Sequence, residues 1–168
     1  MQAVIERPAY WAFCWGSGLA LARWLLQNPE VVADKRVADV GCGCGIGAIA
    51  AKMAGANEVI ACDKDRDALL SARTNAKLNN VSLSFADDVA CLENGFDLIL
   101  MADVLYDRNN YPLLQIAKSL SQTIIVADSR AQSIDDTDFA IFHRSEALTY
   151  PNIGEFDEFR HVRFFRAS

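Results

Sequence analysis

Four glycines alternate with other residues after Asp39, in the stretch "DVGCGCGIG" that ends at Gly47. Glycine has no β-carbon, so it allows tight backbone turns and the close approach of a ligand. Where such a turn joins a strand to a helix, the free N–H groups at the helix start point outward and can hold a nucleotide. We therefore predict a nucleotide-binding turn here, with Asp39, Gly41, Gly43 and Gly45 as cofactor-binding residues.

Acidic residues follow the next two predicted strands. Asp63 lies eighteen residues after Gly45, close to the spacing of about 20 at which an acid binds ribose hydroxyls in nucleotide-binding folds. Asp87 and Asp88 close the stretch "SFADD", from which a side chain can reach the amino group of an adenine. All three acids are predicted cofactor-binding residues, because the carboxyl ends of parallel strands share one edge of a sheet.

The glycine pattern leaves the class of cofactor open. Gly43, Gly45 and Ala48 satisfy the G-x-G-x-x-G/A pattern of dinucleotide-binding enzymes, so a nicotinamide-dependent oxidoreductase is one alternative. A carboxylate at Asp39 repels a pyrophosphate and attracts a cation. Because S-adenosylmethionine carries a sulfonium and an ammonium group, the residues favour that cofactor. A non-catalytic module with the same fold is the remaining alternative.

Cys42 and Cys44 alternate with the glycines, which makes a metal or redox site a second interpretation of the stretch. A metal ion would need further ligands, yet Cys14, Cys62 and Cys91 show no paired spacing. We therefore expect no metal, and we expect both thiols to pack as small apolar side chains beside the turn.

The elements that must position these residues follow from the hydrophobic pattern. Strands and helices alternate through residue 128, which predicts a mostly parallel sheet with helices on both faces. The predicted strands span residues 36–41, 58–63, 82–87, 96–103 and 123–128, and the helices span 17–27, 46–55, 66–80 and 111–120. Ser17 is the expected N-cap of the first helix. Beyond residue 129 we predict a short helix over 135–142 and two antiparallel strands over 145–151 and 161–167.

The sequence thus predicts a single α/β domain over residues 1–168, with a Rossmann-like open sheet of seven strands, mostly parallel with an antiparallel edge strand. The net charge of −6 argues against nucleic acid as the main partner, since phosphate binding needs clustered Lys and Arg. No apolar run approaches the roughly 20 residues that span a bilayer, so we expect no membrane partner. Five cysteines without framework spacing favour reduced thiols and a cytoplasmic location.

Taken together, "DVGCGCGIG", Asp63 and Asp87 resemble the motifs of class I S-adenosylmethionine-dependent methyltransferases. The stretches "WAFCW", "QNPEVV" and "AKMAGA" are similar, more closely, to the electron-transfer flavoprotein β-subunit lysine methyltransferases. Gly16 departs from that family, whose members have a proline there. The resemblance implies a seven-strand methyltransferase fold, S-adenosyl-L-methionine as cofactor, and a lysine of the electron-transfer flavoprotein β subunit as methyl acceptor. A small molecule or another protein is the alternative acceptor.

The stretch "ADVLYD" resembles the acid-x-x-aromatic motif of seven-strand protein lysine methyltransferases, which implies Asp103 and Tyr106 as catalytic residues. A lysine ammonium with a pKa of about 10.4 must lose a proton before it attacks, at a cost of roughly 4 to 5 kcal/mol at pH 7. A nearby carboxylate favours the charged form, so we assign Asp103 to capture and orientation of the amine. Trp11 and Trp15 are candidate substrate-gating residues, because aromatic rings can enclose the lysine stem and attract its cation. Packing of these rings under the first helix is an equal alternative.

Three further residues have weaker patterns. Asp128 ends the fifth predicted strand, and we expect it to cap a surface loop near the site. His143 and His161 lie far from the motif strands in sequence, and no nucleophile or ligand set accompanies them. We expect both histidines to be structural or solvated.

Overall fold

A seven-stranded sheet forms the centre of the computed structural model, which describes residues 9–152, 154 and 157–168. The strands are β1 (Arg36–Val40), β2 (Glu58–Cys62), β3 (Ser84–Ala86), β4 (Leu98–Ala102), β5 (Ile124–Asp128), β6 (Ala140–Glu146) and β7 (His161–Ala167). Their order is β3-β2-β1-β4-β5-β7-β6. The first five are mutually parallel, and β7 pairs antiparallel with both β5 and β6. The predicted Rossmann-like sheet of seven strands is confirmed.

Within the described residues, four α-helices cover the two faces of this sheet. They are α1 (Gly16–Gln27), α2 (Ile46–Met53), α3 (Arg66–Leu78) and α4 (Pro112–Leu120). Helices α1 to α3 share one core cluster with Leu100 of β4, whereas α4 shares the other with Met101 of the same strand. Successive side chains of a strand point to opposite faces of the sheet. Because both faces are buried at β4, every residue of this strand is apolar.

Short 3₁₀ helices complete the described part of the chain, at Tyr10–Ala12, Pro29–Val31, Val89–Cys91, Arg108–Asn110 and Asp157–Arg160. Within residues 9–152, 154 and 157–168, no helix is both long enough and apolar enough to cross a membrane.

The predicted helix over 135–142 is wrong. Residues 140–142 belong to β6, and the segment before them forms a turn around Asp136. Its carboxylate accepts a hydrogen bond from the N–H of Asp138, and its carbonyl accepts one from the N–H of Phe139. Such local bonds give the backbone an alternative to a helix.

The predicted strand over 145–151 is displaced, since the sixth strand of the structure spans Ala140–Glu146. Beyond Glu146 the chain leaves the sheet, and Tyr150 pairs with Cys14 through two backbone hydrogen bonds of 2.9 Å. A contact between residues so far apart in sequence overrides the local pattern of "SEALTYP". The last predicted strand, over 161–167, is confirmed as β7.

Candidate functional site

A cavity of about 540 Å³ opens at the carboxyl ends of β1, β2 and β4, which are neighbours in the sheet. Open α/β sheets bind ligands at this place, where the strand order reverses. Nine of the predicted site residues line the cavity, namely Trp11, Trp15, Gly41, Gly43, Asp63, Asp87, Asp88, Asp103 and Tyr106. The other two, Asp39 and Gly45, lie behind the lining.

A second and larger depression, of about 710 Å³, lies beside the edge strand β3. Arg73 and Phe85 are among its lining residues, and the guanidinium carbon of Arg73 lies 4.1 Å from the centre of the Phe85 ring. Asp87 is shared by the two cavities, but the other predicted site residues that line a cavity belong to the smaller one. The predicted chemistry therefore gathers at the carboxyl ends of the strands.

Gly43 forms part of the cavity wall in the turn between β1 and α2. Its φ of 51° lies in the left-handed region, and a β-carbon added to it would meet no atom within 4 Å. Gly45 has a φ of 82°, and a β-carbon there would lie 2.8 Å from the β-carbon of Ala72 on α3. The turn is therefore open toward the cavity at Gly43 and closely packed against α3 at Gly45.

Asp39, near the end of β1, supports this turn from behind. Its side chain is buried, and its Oδ2 accepts a hydrogen bond of 2.8 Å from the N–H of Ala48 in α2. A β-carbon at Gly47 would come within 2.9 Å of the same oxygen, so glycine makes room for the carboxylate. Burial raises the pKa of Asp39 to about 7, against the effect of the Ala48 hydrogen bond. Direct contact between Asp39 and a cofactor stays a prediction.

Three carboxylates form the acidic wall of the cavity. Asp63 follows β2 and accepts hydrogen bonds from the N–H groups of Gly43, at 2.9 Å, and Asp65, at 3.0 Å. These bonds fall on different oxygens, and a carboxylate has about four lone-pair sites, so both oxygens keep acceptor capacity for a ligand. Asp87 and Asp88 follow β3 and are exposed at the rim. This wall suits a ligand that carries hydroxyl or amino donors.

Asp103, directly after β4, has an unusual backbone conformation and a dense set of donors. Its φ of 51° is rare for a residue with a β-carbon. Oδ1 accepts from the hydroxyl of Ser17 at 2.5 Å and from that of Ser129 at 3.4 Å, and Oδ2 accepts from the Ser17 N–H at 3.1 Å. Burial raises the pKa of Asp103 to about 6, although the Ser17 hydroxyl lowers it. Backbone strain in a cavity wall supports a functional role for the residue.

Ser17 is a site residue that the sequence analysis missed. We predicted it as the N-cap of α1, but the helix begins at Gly16, with Trp15 in the cap position and no capping hydrogen bond from its side chain. The carboxylate of Asp103 takes that place instead, and a negative charge at a helix N-terminus is favourable. The N–H of Gly16 donates to Oγ1 of Thr149 at 3.2 Å, a bond that a proline at this position could not make.

Asp128 lies beneath the cavity, and its predicted place at the surface is wrong. It is 1% exposed, at the end of β5. Oδ1 accepts from the N–H groups of Arg130 and Ala131, each at 2.8 Å, and Oδ2 accepts from the N–H of Leu105 at 3.2 Å. The capping function is as expected, but it is buried because it joins the loop after β4 to the loop after β5.

Aromatic rings form another part of the cavity wall. The aromatic segment, residues 10–15, contributes Tyr10, Trp11 and Trp15. The ring of Tyr10 lies 5.6 Å from that of Tyr106 and 6.0 Å from that of Trp15, measured between centroids. The Trp15 indole N–H donates to the Tyr10 carbonyl at 2.6 Å. Tyr10 and Tyr106 are about half exposed, so this wall is open to an incoming side chain.

Other residues also line the cavity, and of these Asn109, Asn110 and Phe159 were missed from the sequence. Asn109 and Asn110 follow Tyr106, and the Asn110 side chain donates to the carbonyl of Val104 at 2.8 Å. Arg130 and Phe159 lie on the side of β5 and β7, where the guanidinium carbon is 4.7 Å from the ring centre. Loops have no hydrophobic period, so a single sequence contains no signal for these positions.

Cys42 and Cys44 are buried in the turn, as expected for small apolar side chains, and Cys62 is buried beside them. The sulfur of Cys44 lies 3.8 Å from the sulfur of Cys14 in the aromatic segment. Both thiols are free. In the part of the chain that the structure describes, no group of three or more His, Cys, Asp or Glu side chains is placed to hold a metal ion.

Two kinds of surface therefore meet in one cavity. The glycine turn and the acidic wall offer acceptors for the hydroxyl and amino groups of a nucleoside. Asp103 and the aromatic wall offer a carboxylate and ring faces for a cationic amine. The arrangement can hold a nucleoside cofactor and an amine side by side.

Comparison with known proteins identifies methyltransferases. The family model for ribosomal protein L11 methyltransferase (PrmA) matches residues 21–129. The electron transfer flavoprotein beta subunit lysine methyltransferase of Danio rerio is 48% identical over 102 residues, which are 59% of this chain and 40% of that protein. Its counterpart from Homo sapiens is 40% identical over 103 residues, 60% of this chain and 39% of that protein. The chain thus matches about two fifths of the length of these relatives.

Solved structures show the same fold. Magnesium protoporphyrin IX methyltransferase from Synechocystis, crystallised with bound S-adenosylmethionine, superposes with a TM-score of 0.67 at 21% identity, covering 90% of this chain and 79% of that one. The ribosomal protein L11 methylase of Lactobacillus delbrueckii gives 0.66 at 24% identity, covering 88% and 76%. At these identities the likeness concerns the fold alone.

Proposed function

Because the chain belongs to the ribosomal protein L11 methyltransferase (PrmA) family, we propose that it transfers a methyl group from S-adenosyl-L-methionine to a nitrogen atom of a protein side chain. The observation that carries this proposal is the single cavity that joins the glycine turn and acidic wall to Asp103 and the aromatic wall. A nicotinamide-dependent oxidoreductase and a non-catalytic module are less consistent with the family and with a strained carboxylate in the cavity.

The residues around the turn fit this cofactor. The open space beside Gly43 leaves room for a close ligand, and Asp63 retains acceptor capacity for the two hydroxyls of a ribose. Asp87 and Asp88 stand at the rim, within the lining, where they can accept from an adenine amino group. When bound, the cofactor supplies a methyl group already activated by its sulfonium. The chain therefore needs mainly to place the nucleophile correctly.

Asp103 and the aromatic wall are the proposed amine site. The pKa of Asp103 is about 6, so its carboxylate is ionised at neutral pH and attracts an ammonium group. That attraction favours the charged form of the amine, so Asp103 captures and orients the lysine, and the proton leaves to water. Tyr106, Trp11 and Trp15 would enclose the alkyl stem of the lysine.

The proposed acceptor is lysine in the electron-transfer flavoprotein β subunit. The support is the identity of 40–48% to enzymes named for that activity. The family name supplies ribosomal protein L11 as the alternative protein acceptor, and a small molecule is the remaining alternative. A cytoplasmic location is part of the proposal, and the free thiols are consistent with a reducing compartment.

The test is methyl transfer from labelled S-adenosylmethionine to each candidate protein, with the labelled residue located by mass spectrometry. We expect label on lysine of the flavoprotein subunit. Label on ribosomal protein L11 alone would overturn the proposed acceptor. Calorimetry with S-adenosylhomocysteine and with NAD tests the cofactor separately, and binding of NAD alone would overturn the proposed reaction class.

Variants at Asp103 test the amine site. Asp103→Ala and Asp103→Asn should bind S-adenosylhomocysteine but lose methyl transfer, because both remove the charge that captures the amine. Asp138→Asn is the matched control, since Asp138 is a carboxylate that pairs with Lys118 outside the cavity. Unchanged methyl transfer in both Asp103 variants would exclude Asp103 from the mechanism.

A further inference from the structure

Cys14 and Cys44 are neighbours in space although thirty residues separate them in the sequence. Their sulfur atoms are 3.8 Å apart, within the distance of a thiol hydrogen bond. A disulfide requires the sulfurs to come to about 2.05 Å, so rotation of the side chains and a small approach of the backbones would join them.

The backbone at both cysteines is fixed by other parts of the fold. Cys14 exchanges two hydrogen bonds with Tyr150, each of 2.9 Å. The carbonyl of Cys44 accepts a hydrogen bond of 2.9 Å from the side chain of Asn75 on α3. The pair is therefore held together in the folded protein and does not depend on a chance encounter of mobile segments.

The two thiols also differ in environment, as a reactive pair requires. Cys14 is partly exposed, whereas Cys44 is buried. The contact with the Cys44 thiol lowers the pKa of Cys14 to about 7, while the same contact and burial raise the pKa of Cys44. Cys14 therefore has thiolate character at neutral pH, and the thiolate is the form that reacts with oxidants.

We propose that Cys14 and Cys44 form a redox modification site, at which a peroxide produces a reversible disulfide that lowers the activity of the neighbouring cavity. The thiolate of Cys14 attacks the O–O bond of hydrogen peroxide, which breaks to give a sulfenic acid and, with one proton, water. The sulfur of Cys44 then attacks the Cys14 sulfur, its proton leaves with the hydroxide as a second water, and the S–S bond forms. Two thiols and one peroxide thus give one disulfide and two waters.

The position of the bond explains the effect on activity, which rests on the proposed methyltransferase function. Cys14 directly precedes Trp15 of the aromatic wall, and Cys44 directly follows Gly43 in the glycine turn. Closing the sulfur distance from 3.8 Å to about 2.05 Å pulls these two walls together. Misplacement by about 1 Å can reduce catalysis by up to ~10²-fold, so we expect oxidised protein to turn over at least about tenfold more slowly.

The experiment treats reduced protein with hydrogen peroxide and follows intact mass, disulfide peptides, S-adenosylhomocysteine affinity and methyl transfer. We expect the loss of two hydrogen atoms, a Cys14–Cys44 peptide, weaker affinity and slower transfer, all reversed by dithiothreitol. Cys14→Ser and Cys44→Ala should resist peroxide, with the treated and untreated forms of each variant compared with each other. Cys91→Ser is the matched control, because Cys91 is an exposed thiol and its removal should leave the peroxide response unchanged.

Two results would overturn the proposal. One is inactivation by peroxide that is equal in the native protein and in Cys14→Ser. The other is a Cys14–Cys44 disulfide that changes neither affinity nor transfer. Failure of the proposed function is distinguishable, because reduced protein would then transfer no methyl group, while the mass and affinity measurements would still report on the disulfide.

Discussion

Replacement of Ser17 by alanine tests the arrangement around Asp103. The variant loses the hydroxyl that donates to Oδ1 of Asp103 at 2.5 Å, but it keeps the backbone N–H that donates to Oδ2 at 3.1 Å. A hydrogen bond to a charged group contributes about 1.5–3 kcal/mol, and one pKa unit corresponds to about 1.36 kcal/mol. The pKa of Asp103, about 6 in the native protein, should therefore rise by about 1 to 2 units in Ser17→Ala.

The sign of the effect on methyl transfer follows from the form of Asp103 that acts. The carboxylate captures the amine, so activity requires pH values above the pKa of Asp103. At pH 7 a group with a pKa of about 6 is about 90% ionised, whereas one with a pKa of about 7 to 8 is about 50% to 10% ionised. Transfer by Ser17→Ala should therefore be about two- to tenfold slower at pH 7 and nearly normal above about pH 9.

The assay is kcat/KM for methyl transfer to the protein acceptor between pH 6 and 10, expressed as the ratio of variant to native protein. Titration of the lysine acceptor affects both proteins equally and cancels in the ratio. Ser129→Ala is the matched control, because its hydroxyl is 3.4 Å from the same oxygen and should shift the profile less. A ratio that does not change with pH would refute the reasoning, since loss of structure alone would produce that result.

Three other changes give distinct outcomes. Gly43→Val should abolish binding of S-adenosylhomocysteine in calorimetry, because a β-branched residue is strained at a φ of 51° and its side chain would occupy the cavity, while Gly43→Ala should bind weakly. Asp128→Ala should reduce the free energy of unfolding in urea by about 2–5 kcal/mol, because three backbone N–H groups lose their acceptor. Asp39 has a pKa raised from about 3.9 to about 7, so the folded state binds the extra proton and stability falls as pH rises through that window, by up to about 4 kcal/mol. Asp39→Asn should remove this slope between pH 4 and 7 in the same urea measurement, and an unchanged slope would show that Asp39 is not its source.

The position of the glycine turn and the acidic wall could be predicted because their signals are local. A strand, a glycine turn and a helix lie within about twenty residues, and acids at strand ends meet wherever parallel strands share an edge. The spacing of Gly43 and Asp63 alone therefore predicts that the two residues lie close together, and the hydrogen bond of 2.9 Å between them confirms this proximity.

The rest of the site depends on contacts between distant parts of the chain. Ser17 and Asp103 are 86 residues apart, and a serine before a helix is a normal N-cap signal, so nothing local indicates its bond to Asp103. The buried position of Asp128 depends on Leu105 in the same way. The sixth strand was misplaced because its pairing with β7, with a shift between Ile141 and His143, decides its limits.

The anchoring of the aromatic segment sets an order for folding during synthesis. Gly16, next to Trp15, donates a hydrogen bond to the side chain of Thr149, which lies 133 residues later in the sequence. Cys14 exchanges backbone hydrogen bonds with Tyr150. Cys14 and Gly16 can therefore reach their final places only after Thr149 and Tyr150 have left the ribosome. Until then the aromatic segment lacks these anchoring contacts, and contacts of such long sequence separation form slowly. In a nascent chain, the aromatic side of the cavity is thus accessible to chaperones and to aggregation until these anchoring contacts form.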